Sequence, residues 1–181
     1  MNKQLMDMLA AADGRYLNQS EQAALREWTQ GLDARLAAMA EVSTKEVSIV
    51  EQTVKEVFAA YPDIQKKYKN AMQTCIRDET LVLRYVTQAM VRNDPQYLND
   101  GLLTWLATIL KGVGFAPHFI EDTYKTMSLV ASRELTPASA KLIQPFVAQC
   151  AAVLSGRASG EVAAPLTAAQ AAGPGPGREA R

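Results

Sequence analysis

The stretch Cys75-Ile76-Arg77-Asp78-Glu79-Thr80-Leu81-Val82-Leu83-Arg84-Tyr85-Val86-Thr87 carries a fold signal and a chemical one. Val82, Tyr85, Val86, Ala89 and Met90 recur at three- and four-residue steps, which predicts the apolar face of a helix from about 70 to 91. Asn93-Asp94-Pro95 ends it, because proline disfavours helical backbone before it and donates no backbone hydrogen bond. On such a helix Cys75 and Asp78 project one turn apart on nearly the same side.

The helical period recurs on both sides. Leu5, Met6, Met8, Leu9 and Ala12 predict a helix that stops at Asp13-Gly14. Ser20 is the expected cap of the next segment, whose stripe of Leu25, Trp28, Leu32, Leu36 and Met39 is bent or divided at Gly31. Ser43-Thr44-Lys45-Glu46 has the form of a capping box and predicts a fresh helix start before Val47, Val50, Val54, Val57 and Phe58, ending at Tyr61-Pro62. The charged stretch 63–72 reads as a short solvated helix. Beyond residue 100, the apolar run 101–110 is followed by a loop, Gly112-Val113-Gly114-Phe115-Ala116-Pro117. That loop sets Pro117 in the first turn of a helix to about Glu134. Thr136-Pro137 opens a last helix to about 155, with Leu142, Phe146, Cys150 and Val153 inward.

No segment alternates with a period of two, so the expected class is all-α, and periodicity alone fits either a bundle or a globin-like packing. Residues 1–155 are expected to form one domain. Residues 156–181, rich in Ala, Gly and Pro, lack the large apolar side chains that offset ordering entropy and are expected to be disordered.

Composition narrows the function. The chain has 181 residues, of which 48% are hydrophobic, enough for a full core. Its 19 basic and 19 acidic residues cancel, so no clustered positive excess points to nucleic acid. No apolar run reaches the roughly 20 residues that cross a bilayer, and Asp7 interrupts the opening stretch where a secretory signal needs continuity. A cytoplasmic protein with free thiols at Cys75 and Cys150 is expected. No carboxylate pair, metal-ligand cluster or Ser-His-Asp set appears, so no catalysis is expected.

The Cys75 constellation suits an anchored ligand. A thiol can attack the vinyl or ethylidene carbon of an open-chain tetrapyrrole to give a thioether. Arg77 can favour the thiolate and pair with a propionate. Asp78 can accept hydrogen bonds from the central pyrrole nitrogens. The flanking sequence strengthens this reading. Ala12-Asp13-Gly14-Arg15-Tyr16-Leu17, Ile49-Val50, Phe58 before Pro62, Cys75-Ile76-Arg77-Asp78, Leu83-Arg84-Tyr85-Val86-Thr87 with Ala89, and Pro145-Phe146 occur in an order and spacing that resembles the phycobiliprotein family over about residues 5 to 155.

The resemblance implies a globin-like helical body preceded by two N-terminal dimerisation helices, with a covalent open-chain tetrapyrrole of phycocyanobilin type on Cys75. It implies Asp13 and Arg84 at the interface of a homo- or hetero-dimer, and association with phycobilisome or photosystem components at the cytoplasmic face of the thylakoid membrane. Arg84-Tyr85-Val86-Thr87 leans toward the beta-type subunits. The chain departs from the family pattern in its short Pro62-to-Cys75 connection, in Gln88 where a tyrosine is usual, and in Arg92-Asn93 where a small Ala-Gly turn is usual. These departures fit the alternative of a pigment-free paralogue used for assembly, sensing or docking. Cys150 reads as core. His118, near a helix start, is poorly placed for haem, and of the two tryptophans Trp105 is the candidate for pigment contact.

Overall fold

The computed structural model describes residues 1–157, and these are helical throughout apart from short connections. In chain order the helices are α1 (Lys3–Ala11), α2 (Gln19–Thr29), α3 (Leu32–Ala60), α4 (Pro62–Lys67), α5 (Ala71–Arg92), α6 (Pro95–Leu98), α7 (Thr104–Val113), α8 (Pro117–Glu134) and α9 (Pro137–Leu154). A single π-turn, Asn99–Leu103, joins α6 to α7. The fold is all-α, as the periodicity predicts, and globin-like with two helices ahead of the body, as the resemblance implies.

The body forms because α3, α5, α8 and α9 each present an apolar stripe to a shared centre. The long α3 packs on α5, α8 and α9, and α8 packs along α9. Ile49, Leu83, Met90, Met127, Ile143 and Phe146 are all essentially inaccessible at this centre. Gly101, in the π-turn, lies where an added Cβ would stand 3.0 Å from the Tyr85 ring, so this approach of α5 admits no side chain without displacement.

Two helix starts differ from expectation. The chain runs helically through Ser43, so the Ser43–Glu46 pattern caps nothing, and α3 begins instead after Gly31, whose φ of 73° breaks it from α2. The box that forms is two residues ahead of the expected Ser20. There the Asn18 side chain accepts from the Glu21 backbone N–H, and the Glu21 carboxylate accepts from the Asn18 N–H. A cap needs an acceptor on extended backbone at the break, and Ser43 lies within a stretch whose neighbours Val42 and Ile49 are buried in α3's packing face. The loop expected at 112–117 is shorter than predicted, since α7 continues to Val113 and Gly114 closes it in the left-handed region.

The N-terminal pair is fixed to the body at the corner after α5. The Lys3 N–H donates to the Asp94 carboxylate at 3.0 Å, and the Trp28 indole donates to the Arg92 carbonyl at 2.9 Å. Arg35 is fully buried at the α2–α3 break, stacked 5.3 Å over the Trp28 ring and donating to the Trp28 carbonyl that α2 leaves unpaired. At the other end, Gly156 closes α9 in the left-handed region and Arg157 pairs with Glu121. The described residues end at 157, and the expected disordered tail lies, from residue 158 on, outside them.

Candidate functional site

The first eight residues of α5 include Cys75, Arg77 and Asp78, and all three line one cavity of about 380 Å³. Its rim includes the exposed Lys69, from the connection between α4 and α5, and the exposed Ile109 and Val113 of α7. Its wall is aromatic. Tyr68 meets Phe115 at 5.4 Å between ring centroids, Phe115 meets Phe119 at 5.3 Å, and Phe119 meets Tyr61 edge-on at 5.2 Å. Such contacts hold rings in place without a fluid interior. Asn70, with φ of 58°, turns the chain from α4 into α5 in the left-handed region that asparagine tolerates better than most residues.

The electrostatics differ from the sequence expectation in one respect. Arg77 does not turn toward the thiol. Its Nε and Nη2 lie 2.9 and 2.8 Å from the Asp78 Oδ1, in a pair largely open to solvent. Cys75 is half-buried, and burial, then the nearby Glu79 and Asp78 carboxyls, push its thiol well above the usual range. The expectation that Arg77 favours the thiolate is therefore corrected, since two acids, not a cation, set the field at the sulfur.

Sequence reasoning missed Glu79 and Tyr124. Glu79 is 6% exposed and lines the same cavity; it interacts with the Tyr124 hydroxyl of α8, and its Oε2 has no hydrogen-bond partner. Burial, against the opposing help of the Tyr124 hydroxyl and with the added push of Asp78, raises its carboxyl to about 8. The signal was available. Glu79 precedes Val82, Leu83 and Val86 at helical spacing, on the stripe that faces inward.

The remaining sequence candidates fall elsewhere. Arg84 forms a two-point ion pair with Glu46 of α3, at 2.6 and 2.7 Å, and Asp13 is exposed beyond the end of α1. Cys150 is buried in α9, as expected. His118 is exposed, with its ring 6.0 Å from that of Tyr61. Trp105 is exposed, donates to the Gly101 carbonyl at 3.2 Å and does not line the cavity. The two departures Gln88 and Arg92 share a neighbour. The Tyr97 hydroxyl donates to Gln88 at 2.8 Å, and the Arg92 guanidinium lies 4.3 Å from the centre of the same ring. Tyr97 is in turn stacked on Tyr85.

Known proteins are similar to this chain in sequence. The R-phycocyanin-2 beta chain of Synechococcus sp. strain WH8020 is 32% identical over 110 residues, covering 58% of this chain and 64% of the relative. The allophycocyanin subunit beta-18 of Picosynechococcus sp. is 28% identical over 130 residues, covering 65% of this chain and 77% of the relative. The R-phycocyanin-1 beta chain of Porphyridium purpureum is 30% identical over 110 residues, covering 58% and 64%. The chain thus spans just under two thirds of the length of the phycocyanin beta chains it matches. The family model described as phycobilisome protein matches residues 8–154, from within α1 to the last residue of α9, and the chain accordingly belongs to the phycobilisome protein family.

Proposed function

We propose that the chain is a bilin-binding, light-harvesting component of the phycobilisome, with an open-chain tetrapyrrole of phycocyanobilin type held by a thioether to Cys75. One observation carries this reading: a thiol, a guanidinium and two carboxyls meet on one side of an aromatic-walled cavity of about 380 Å³. The cavity suits the group, because apolar rings can flank a conjugated plane while polar atoms at one end take its nitrogens and carboxylates. The bilin supplies visible absorption when bound. Arg77 is exposed and Asp78 half-exposed, and ion pairs open to solvent hold weakly. A propionate can therefore draw Arg77 away and leave the Asp78 oxygens for pyrrole N–H donors. Because the Cys75 thiol is held protonated, attachment calls for a group that removes its proton, a task suited to an assisting lyase.

Pairing with a second phycobiliprotein-like subunit, identical or different, belongs to the same reading, with α1, α2, Asp13 and Arg84 at the contact. So does association with other phycobilisome or photosystem components at the cytoplasmic face of a thylakoid. No described helix is long and apolar enough to cross a membrane. No role is assigned to nucleic acid, and none to catalysis.

Co-expression with bilin-synthesising enzymes and a lyase is expected to give a coloured protein. Its band on a denaturing gel should fluoresce with zinc and vanish in Cys75→Ala. A colourless wild-type protein contradicts the reading. If that colourless protein also retained antenna subunits in pull-downs, the pigment-free docking role would replace it.

A further inference from the structure

Glu79 is a buried acid whose Oε2, facing no donor or acceptor, belongs to a residue lining the cavity. Unpaired buried oxygens are uncommon in folded proteins because they forfeit hydration without compensation. A second observation concerns charge. The groups around Glu79 are Cys75, Arg77 and Asp78 on its own helix, Tyr124 on α8 and Cys150 on α9, with Lys69 exposed at the rim. Arg77 and Asp78 neutralise one another. No cation reaches the buried carboxyl, so the one buried carboxyl of this set is a neutral acid that has the Tyr124 hydroxyl beside it and an Oε2 with no hydrogen-bond partner.

Resting on the bilin reading above, we propose that Glu79 is a second acid of the cavity, the proton source and then the counter-ion for the nitrogens of the bound tetrapyrrole. Glu79 stands four residues from Cys75 and Asp78 three, so both acids share the side of α5 that bears the thiol. The exchange balances without any further reagent. The O–H bond at Oε2 breaks, an N–H bond forms on an imine-type ring nitrogen, and the electron pair of the broken bond stays on the carboxylate. That carboxylate then lies beside the positive charge it has created, which repays its own burial. Asp78, bound to Arg77 and half-exposed, keeps the role of accepting N–H bonds nearer solvent.

The test follows the visible band of the co-expressed, phycocyanobilin-loaded protein as pH is raised. In Glu79→Gln the zinc-fluorescent band should persist, showing that attachment survives, while the long-wavelength absorption fades at a pH lower by about one unit or more, a tenfold change in proton affinity. Glu79→Asp should recover most of the shift. Glu79→Met, which fills the space without charge, should behave as Glu79→Gln and guards against a folding defect in either. A second readout needs no pigment. The unloaded wild type at pH 7 should show a carboxylic-acid C=O stretch in the infrared that is missing in Glu79→Gln, and loading should remove it.

A coloured Glu79→Gln protein that titrates like the wild type overturns this inference alone, as does a carboxylic-acid stretch that survives loading. A wild type that takes up no pigment overturns the proposed function and this inference with it.

Discussion

Glu79 is the residue where burial and charge conflict most. Its carboxyl sits at about 8 when folded and near 4.5 when the chain is unfolded, with burial as the main cause. The folded state therefore holds a proton that the unfolded state releases between those values. Stability from this source is complete below about pH 4.5 and falls as pH rises toward 8. The difference at pH 7 is on the order of 3 kcal/mol, large against a typical domain's margin. The unloaded wild type is expected to lose melting temperature steadily from about pH 5 to 8 in calorimetry. Glu79→Gln should flatten that slope, and Tyr124→Phe, which removes the hydroxyl that favours the ionised form, should carry the decline on to higher pH. Glu79 escaped the sequence reading because Arg77-Asp78-Glu79 looks like a solvated charge run. Only the helical register, with Glu79 under Val82 and Leu83, separates it from its two neighbours. Cys75, Arg77 and Asp78 were legible as a set. That Arg77 would pair with Asp78 rather than face the sulfur depends on rotamers that spacing does not specify.

At the scale of the helix, two residues of similar capping type have opposite consequences. Asn18 satisfies the first turn of α2 through its side chain, whereas Ser43 lies exposed in the interior of α3 with nothing to cap. Asn18→Ala is expected to cost about 1 kcal/mol in the stability of that turn, read as faster amide hydrogen exchange at Glu21 and Gln22. Ser43→Ala should change stability by less than about 0.5 kcal/mol, and in the favourable direction, since alanine is the better helix former. The contrast explains what periodicity misses. A capping motif is a statement about sequence, while its use requires a break in the backbone, and Gly31 rather than Ser43 supplies that break. Helix type and apolar face were legible for α5 and α9 because their stripes are strong, while for α8 only the extent was legible, from Pro117 at its start. The π-turn at Asn99–Leu103 was not legible, because it follows from the fit of Gly101 against Tyr85 and of Gln149 against Asn99.

For the molecule as a whole, the body is closed by its own core, yet the outer side of α3 stays apolar. Val47 is 65% exposed, although the sequence set it on an inward stripe, and Leu36 and Met39 on the same helix are also exposed. Val47 adjoins Glu46, and Leu81 on α5 precedes Arg84 by one turn and is exposed as well, so apolar groups flank the Glu46–Arg84 pair. Under the proposed pairing this is contact surface. Val47→Glu is expected to weaken association at least tenfold in sedimentation velocity, with the far-ultraviolet spectrum and melting unchanged. Equal association in both proteins would remove α3 from the contact. Globin-like packing was legible only through the family resemblance, since the apolar period alone allowed a bundle.

The link from the Trp28 indole to the Arg92 carbonyl gives the molecule an optical gauge of its own. Trp28 is half-covered where α2 meets the body, while the other tryptophan, Trp105, is wet. In a Trp105→Phe background, all indole emission would report this one junction. Lifting the leading helices would then redden the emission while helicity held steady, so their release could be timed separately from melting.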